Sequence, residues 1–227
     1  YVFTARYLLE ALAWDRNEQD FGMDILPRAI ANDQVFAYPF YGYWRDVGTI
    51  QAYWEANMDL LREGSGISPQ GWGIRTNIAA DGRPMDRPPA RFLSGCAVRS
   101  SMISAGCVIE GTVINSVLSP GVWVQEGAVV RDSVIFEDSI IGRNAVVDLA
   151  ICDKRVLICE ESMVGYGDKQ GIPNRLCPKH LYTGITLVGK EAVVPPLMEI
   201  GRNCIVNPRL QEADFPSSGQ LADGETL

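Results

Sequence analysis

A six-residue spacing of apolar side chains runs through the second half of the chain and limits its fold more than any other feature. A helix repeats about every 3.6 residues and a strand alternates with a period of two, so neither produces this spacing. A period of six is typical of a parallel β-helix, in which each short strand forms one side of a coil. We predict stacked coils over residues 93–208. The predicted inward positions are Ile103, Ile109, Val117, Trp123, Val129, Ile135, Ile141, Val147, Val188, Val194, Ile200 and Val206.

Nearly identical hexads support this interpretation. IGRNAV begins at residue 141, IGRNCI at 200, and VGKEAV at 188 is a third copy. We expect Gly142 and Gly201 to supply the unusual dihedral angles of a corner. A β-sandwich with short strands at accidental spacing is the alternative, but it does not explain so many positions in one register.

One long segment interrupts the repeat. Residues 162–185 are too long for a coil corner and predict a loop or short hairpin outside the coils. The segment contains His180, the one histidine of the chain. Some hexapeptide-repeat proteins are acyltransferases with a histidine base, but such a base needs an orienting partner. The surrounding CPKHLYTG offers no recognisable partner.

The first part of the chain has a different sequence pattern. Residues 1–62 alternate strand-like segments, such as 1–3 and 35–40, with helix-like segments, which predicts an α/β arrangement. Residues 63–92 are rich in glycine and proline and predict a linker. The chain opens inside a strand-like triplet without methionine, as expected of a chain that begins within a domain.

Composition excludes several classes of partner. A net charge of −8 argues against nucleic acid, since phosphate binding requires a concentrated basic surface. No apolar run approaches the ~18 residues that span a bilayer, so no membrane partner is expected. The six cysteines form no C-x-x-C pair, which favours reduced thiols in a cytoplasmic protein over a zinc site.

The stretch YGYWRDVGT, residues 41–49, stands where a predicted strand meets a predicted helix. Asp46 is either the N-cap of a helix that starts near Val47 or a ligand group on a strand-to-helix loop. Trp44 suits a core position, and Arg45 is expected to face away from Trp44 and Asp46. Asp20 likewise suits a cap of a short helix that stops near Pro27.

Together these segments resemble a known family. DFGMDILPRAI (20–30), YPFYGYWRDVGTIQAYWEANMDLL (38–61), the hexads and the terminal IGRNCIVNP are similar to glucose-1-phosphate adenylyltransferases. The resemblance implies a Rossmann-like nucleotidyltransferase domain followed by a left-handed parallel β-helix. The family's glycine-rich nucleotide motif does not occur here. We therefore expect a catalytic-domain remnant over 1–62, a linker over 63–92 and the β-helix domain over 93–227, inactive as a fragment.

The resemblance also implies roles for individual residues. Asp46 is expected to be catalytic and to hold Mg²⁺. Tyr1, Asp20, Phe21 and Trp44 are expected to contact glucose 1-phosphate. The family makes ADP-glucose and pyrophosphate from ATP and glucose 1-phosphate for glycogen or another α-glucan. It implies a homotetramer regulated by small metabolites. A hexapeptide acyltransferase and a non-catalytic regulatory or scaffold subunit are the alternatives.

Overall fold

The computed structural model describes residues 1–14, 20–68, 71, 73, 79–80, 83–84, 86–168 and 171–227. The chain divides into two compact units, residues 1–42 and 43–227. This division falls before the expected end of the catalytic remnant at residue 62, and the expected domain bounds stay a prediction. Within the described residues, no helix combines the length and apolar character needed to span a bilayer.

The first unit consists of helices and extended connections. Its helices are α1 (Ala5–Leu12), a π-helix (Phe21–Ile25) and α2 (Leu26–Asn32). The helical backbone continues past Pro27, contrary to the prediction, because proline is tolerated in the first turn of α2. The predicted strands at 1–3 and 35–40 are also wrong, since no strand occurs among the described residues of this unit. A strand requires a hydrogen-bonded neighbour, and these segments have none in that part of the chain.

The second unit opens with the segment Tyr43–Asp46 and helix α3 (Ile50–Asp59). Thr49 is the N-cap, and its hydroxyl oxygen accepts a hydrogen bond from the backbone N–H of Ala52 at 3.1 Å. The helix therefore starts three residues later than predicted. Two antiparallel strands of two residues each, β1 (Ala79–Ala80) and β2 (Arg83–Pro84), lie in the predicted linker, several of whose residues are outside the described part.

Short parallel strands then build the β-helix. Every third strand pairs, so the described strands form three parallel sheets, one on each side of the coil. The first sheet contains β3 (Arg91–Phe92), β6 (Val108–Ile109), β9 (Trp123–Val124), β12 (Ile140–Ile141), β15 (Leu157–Ile158) and β18 (Val193–Val194). The second contains β4 (Ala97–Arg99), β7 (Thr112–Ile114), β10 (Val129–Arg131), β13 (Val146–Asp148), β16 (Met163–Val164), β19 (Glu199–Ile200) and β21 (Gln220–Leu221). The third contains β5 (Met102–Ile103), β8 (Val117–Leu118), β11 (Val134–Ile135), β14 (Ala150–Cys152), β17 (Thr186–Val188) and β20 (Ile205–Val206). The predicted left-handed parallel β-helix is confirmed.

The register differs from the prediction at three positions. Val113, Val130 and Val147 stack on one another, so a coil here takes 17 residues instead of 18. The shorter corner is the one between β10 and β11, where two residues separate the strands. The inward side chains are therefore Leu118, Val124 and Val130, whereas Val117, Trp123 and Val129 face outward. The other nine predicted inward residues pack in or against the core.

The glycines of the hexads have a different role from the one predicted. Neither Gly142 nor Gly201 has a positive φ. A Cβ on Gly142 would lie 2.8 Å from the carbonyl oxygen of Ile158 in the next coil, so the glycine permits close backbone approach. The left-handed residue of each corner is the asparagine two positions later, Asn144 (φ 55°) and Asn203 (φ 56°). Asparagine tolerates that conformation better than most residues.

A column of serines closes the tight corner. The Ser133 hydroxyl donates to the carbonyl oxygen of Arg131 at 2.7 Å and accepts from the backbone N–H of Ala150 in the next coil at 3.1 Å. Ser116 repeats this arrangement one coil earlier, and its hydroxyl accepts from the N–H of Ser133. Each serine thus satisfies backbone groups of two coils where the strands leave them unpaired.

The segment between β16 and β17 is a loop, as predicted, but the predicted bounds of 162–185 began too early, because Met163–Val164 form β16 in the coils. Its described residues contain no strand, and the second hexad copy holds it in place. The Asn203 side chain accepts from the N–H of Gly184 at 2.7 Å and donates to the carbonyl oxygen of Ile172 at 3.1 Å. Arg202 and Asn203 are therefore buried, although the matching Arg143 and Asn144 of the first copy are exposed.

All six cysteines are free thiols. Cys107, Cys152 and Cys204 lie in the core of the β-helix. Burial raises the pKa of Cys152 to about 12 and that of Cys204 to about 11. These thiols act as small core residues.

Candidate functional site

The segment Tyr43–Asp46 presents alternate residues to opposite sides. Tyr43 and Arg45 are partly buried against α3, whereas Trp44 and Asp46 are exposed. The Trp44 side chain is 76% exposed, so it is not a core aromatic within the described structure. Arg45 faces away from Trp44 and Asp46, as the alternation predicts. Two chemically useful side chains therefore share the open side of this segment.

Helix α3 supplies the groups that hold the other side. The buried carboxylate of Asp59 accepts from the Tyr43 hydroxyl at 3.0 Å and lies 2.9 Å from Nη2 of Arg45. Arg45 also donates to the carboxylate of Glu55. Burial and the bond to Asp59 raise the pKa of Tyr43, which therefore remains a neutral donor. Glu55 and Asp59 are four residues apart, so they lie on one helix face and both reach Arg45.

Asp46 is not the helix cap. Oδ1 of Asp46 accepts the N–H of Gly48 at 3.1 Å in a local turn, and the cap is Thr49. Among the described residues, no donor is bonded to the other carboxylate oxygen, which is open to solvent. The capping hypothesis is therefore wrong for Asp46, and the metal-ligand hypothesis stays a prediction. Within the described structure, no three His, Cys, Asp or Glu side chains cluster as a preformed metal site.

In the first unit Asp20 is a cap, as its residue type suggests. Its Oδ1 accepts from the N–H groups of Gly22 and Met23, each at 2.7 Å. The backbone N–H of Asp20 in turn donates to Oδ2 of Asp24 at 3.0 Å. This reciprocal capping starts the π-helix. One carboxylate oxygen of Asp20 is thus occupied, and its predicted sugar contact stays a prediction.

Tyr1 and Phe21 are brought together in the first unit. Their rings stack with centroids 6.0 Å apart and an interplanar angle of 16°. Phe3 packs on Phe21 at 5.8 Å. Tyr1 and Phe3 also line a cavity of about 480 Å³, together with Tyr7. Phe3 and Tyr7 were not predicted as site residues, although the close spacing of the aromatic residues Tyr1, Phe3 and Tyr7 could have indicated them.

His180 lies on the exposed surface of the inserted loop. Its backbone N–H donates to the carbonyl oxygen of Cys177 at 3.0 Å. Among the described residues, no side chain is hydrogen-bonded to its imidazole. The arrangement lacks the oriented imidazole that a general base requires.

Comparisons with known proteins match both parts of the chain. Residues 1–63 match a nucleotidyl transferase family, and residues 88–188 match a GlmU-like C-terminal hexapeptide family. The first part is thus similar to a nucleotidyl transferase segment, as the resemblance implied, although its described residues form helices and no strand. A glucose-1-phosphate adenylyltransferase of Thermomicrobium roseum is 47% identical over all of this chain and 53% of its own length. A protein of that name from Acetivibrio thermocellus is 41% identical over 96% of this chain and 51% of its own length. The chain spans about half the length of these curated relatives.

Proposed function

We propose that this chain, a relative of glucose-1-phosphate adenylyltransferases along its whole length, forms part of an enzyme that makes ADP-glucose. The reaction joins ATP and glucose 1-phosphate and releases pyrophosphate. The observation that carries the proposal is the exposed pair Trp44 and Asp46, on a segment whose other side is fixed by Asp59. An exposed carboxylate that does not cap its helix is available for a ligand.

The chemistry requires little covalent participation by the protein. The phosphate of glucose 1-phosphate attacks the α-phosphorus of ATP in line, and pyrophosphate leaves. Catalysis of this kind depends on positioning and on stabilising charge at the transferring phosphorus. A chain that fixes one carboxylate and one aromatic ring on a rigid segment provides part of that positioning.

Asp46 fits the role of a magnesium ligand. Its free oxygen is a hard donor, and Mg²⁺ is commonly bound by one or two carboxylates together with substrate phosphates. The ion, when bound, would neutralise charge on the phosphates. Asp46 would hold it while Trp44, on the same side of the segment, is proposed to contact the sugar.

The proposed sugar contacts of the first unit are Tyr1, Asp20 and Phe21. The stacked rings of Tyr1 and Phe21 offer an apolar surface that suits the C–H face of a hexose. The second oxygen of Asp20 can accept hydroxyl hydrogen bonds, because Oδ1 alone accepts the capping bonds.

We also propose homotetramer assembly, metabolite regulation, a cytoplasmic location and a role in glycogen or α-glucan synthesis. The outward side of the first sheet supports subunit contact, because it carries a row of apolar residues with few charges. This row contains Val108, Trp123, Ile140, Leu157 and Val193. A cavity of about 470 Å³ is a candidate place for an anionic effector, because two arginines, Arg131 and Arg202, and one carboxylate, Asp148, line it. The free thiols favour a reducing compartment.

The direct test is product analysis with the full-length protein. Incubation with ATP, glucose 1-phosphate and Mg²⁺ should yield ADP-glucose and pyrophosphate in equal amounts. Reactions with UTP, or with N-acetylglucosamine 1-phosphate, serve as controls for nucleotide and sugar choice. A protein that forms a sugar nucleotide only from these control substrates, or forms none, would contradict the proposal.

A further inference from the structure

Asp59 is a buried carboxylate that accepts from donors on two parts of the chain, the segment Tyr43–Asp46 and the residues after α3. Its side chain is 7% exposed, and Oδ2 receives the Tyr43 hydroxyl at 3.0 Å and Nη2 of Arg45 at 2.9 Å. Oδ1 receives Nη1 of Arg62 at 3.3 Å. Carboxylates are almost never buried unless paired, because desolvation disfavours the charge. Two of the three donors come from the segment that carries Trp44 and Asp46.

These two contacts determine which side of the segment is open. Tyr43 and Arg45 face the helix, so the residues between and after them, Trp44 and Asp46, face outward. In a chain with alternating sides, a slip of one residue exchanges the two sides completely. The bonds to Asp59 therefore prevent Trp44 and Asp46 from turning toward the helix.

Helix α3 is itself fixed on the β-helix. The indole N–H of Trp54 donates to the backbone carbonyl oxygen of Asp132 at 2.8 Å. The ring of Tyr53 stacks on Phe136 with centroids 6.5 Å apart. Met58, next to Asp59, is fully buried. Asp59 thus projects from a rigid element, which is what precise placement of a neighbouring group requires.

We propose that Asp59 is a positioning residue that sets the orientation of Asp46 and Trp44 through Tyr43 and Arg45. This inference rests on the proposed function, because it concerns how that site is held. Asp59 faces away from the open side of the segment and acts through its two partners. A displacement of about 1 Å at a reacting group can lower a rate about 100-fold, so such a residue affects turnover strongly.

The test uses the full-length protein with the variants Asp59→Asn, Tyr43→Phe and Arg62→Gln. Asp59→Asn retains the shape of the side chain and removes the charge that pairs with Arg45. Tyr43→Phe removes one hydroxyl and keeps the ring, so it remains informative if Asp59→Asn folds poorly. Arg62→Gln is the matched control. Arg62 contacts the other oxygen of Asp59 and, among the described side-chain contacts, none of the residues Tyr43–Asp46.

We expect Asp59→Asn to lower kcat for ADP-glucose formation at least about 10-fold and to raise the Mg²⁺ concentration needed for half-maximal rate. Tyr43→Phe should also lower kcat and raise the Mg²⁺ requirement. Arg62→Gln should change neither quantity by more than about twofold. Amide hydrogen exchange should accelerate at residues 44–48 in the first two variants and stay unchanged in the β-helix. Added anions should not restore the activity of Asp59→Asn, since its loss is one of orientation.

Two results would overturn the inference. The first is parent-like kinetics and parent-like exchange at residues 44–48 in both Asp59→Asn and Tyr43→Phe. The second is an equal loss in all three variants that follows their melting temperatures, which indicates a purely structural role. Failure of the proposed function is distinct, because the parent protein would then form no ADP-glucose while exchange still reports on the segment.

Discussion

Trp54 and Asp132 join the helix of the candidate site to the β-helix, through a hydrogen bond of 2.8 Å from the indole N–H to a backbone carbonyl oxygen. Asp132 lies at the tight corner and has a left-handed backbone, φ 49°. Trp54 also packs on the apolar cluster of Leu149, Leu181 and Ile185. The segment Tyr43–Asp46 and the β-helix are thus parts of one compact unit.

Trp54→Phe tests this connection. The change removes the N–H donor and keeps much of the packing, so we expect a loss of about 1–2 kcal/mol in the free energy of unfolding. Trp123→Phe is the matched control, because the indole of the exposed Trp123 donates to Glu110 on the outward side. Chemical denaturation of both variants gives the comparison. Equal losses in the free energy of unfolding would show that the Trp54 hydrogen bond stabilises the protein no more than the Trp123 bond does.

Ile141→Asp and Val129→Asp test the register of the coils. Ile141 is fully buried, so a carboxylate there is expected to destabilise the protein by several kcal/mol. Val129 faces outward, and Val129→Asp should cost about 1 kcal/mol or less. Thermal melting distinguishes the two variants. A strict six-residue register predicts the same severe loss for both, so that outcome would contradict the structure.

The buried ion pair of Arg202 and Asp148 is expected to stabilise the β-helix strongly. Nη2 of Arg202 lies 2.5 Å from Oδ2 of Asp148, and both side chains are almost completely buried. Asp148→Ala leaves a buried guanidinium without its counter-charge, which typically costs about 3–5 kcal/mol. Arg131→Ala removes a half-exposed partner of Asp148 and should cost about 1 kcal/mol or less. Urea denaturation measures both losses.

The same pair predicts a pH dependence. Burial alone would raise the pKa of Asp148, but hydrogen bonds from Arg131 and Arg202 outweigh it and lower the pKa below its ordinary value. The stabilisation is therefore present above the ordinary carboxyl pKa and is lost as the pH falls through the folded value. Stability measured in acid should decline less steeply in Asp148→Asn than in the parent. Identical acid profiles would contradict this assignment.

His180→Ala distinguishes the proposed function from an acyltransferase. His180 is exposed on the loop, so its removal should leave turnover within a few-fold of the parent value. A general base contributes about 10²–10⁴-fold to a rate. A loss of that size in a steady-state assay of the full-length protein would favour the acyltransferase alternative.

Much of the β-helix could be predicted because the same apolar position recurs in many coils, so one spacing indicates many inward residues. Nine of the inward positions followed from spacing alone. The exceptions, such as Val129, arise where the corner after Arg131 takes one residue fewer. Asn115-Ser116 and Asp132-Ser133 mark such corners, but a pattern of apolar spacing does not register them. The glycine of each hexad was also predictable, but its reason was steric space and not dihedral freedom.

The candidate site was less predictable, because its residues have two plausible roles each. Asp46 and Thr49 are both good capping residues, and three-dimensional geometry selects Thr49. The strands expected at 1–3 and 35–40 depend on neighbours that local sequence cannot supply. Asp59 was missed because a carboxylate on a helix normally indicates a solvated side, whereas here it is buried under Tyr43 and Arg45.

The most direct test of the account is the Mg²⁺ dependence of ADP-glucose formation by full-length Asp46→Asn, with Thr49→Ala as control. Asparagine keeps the shape of the side chain and can accept the Gly48 N–H, but it removes the charge that would hold Mg²⁺. We predict parent-like melting, a large loss of turnover and a higher Mg²⁺ requirement for Asp46→Asn. Thr49→Ala should lose about 1 kcal/mol of stability and retain turnover, since it removes only the helix cap. A near-normal rate and an unchanged Mg²⁺ requirement in Asp46→Asn would contradict the account.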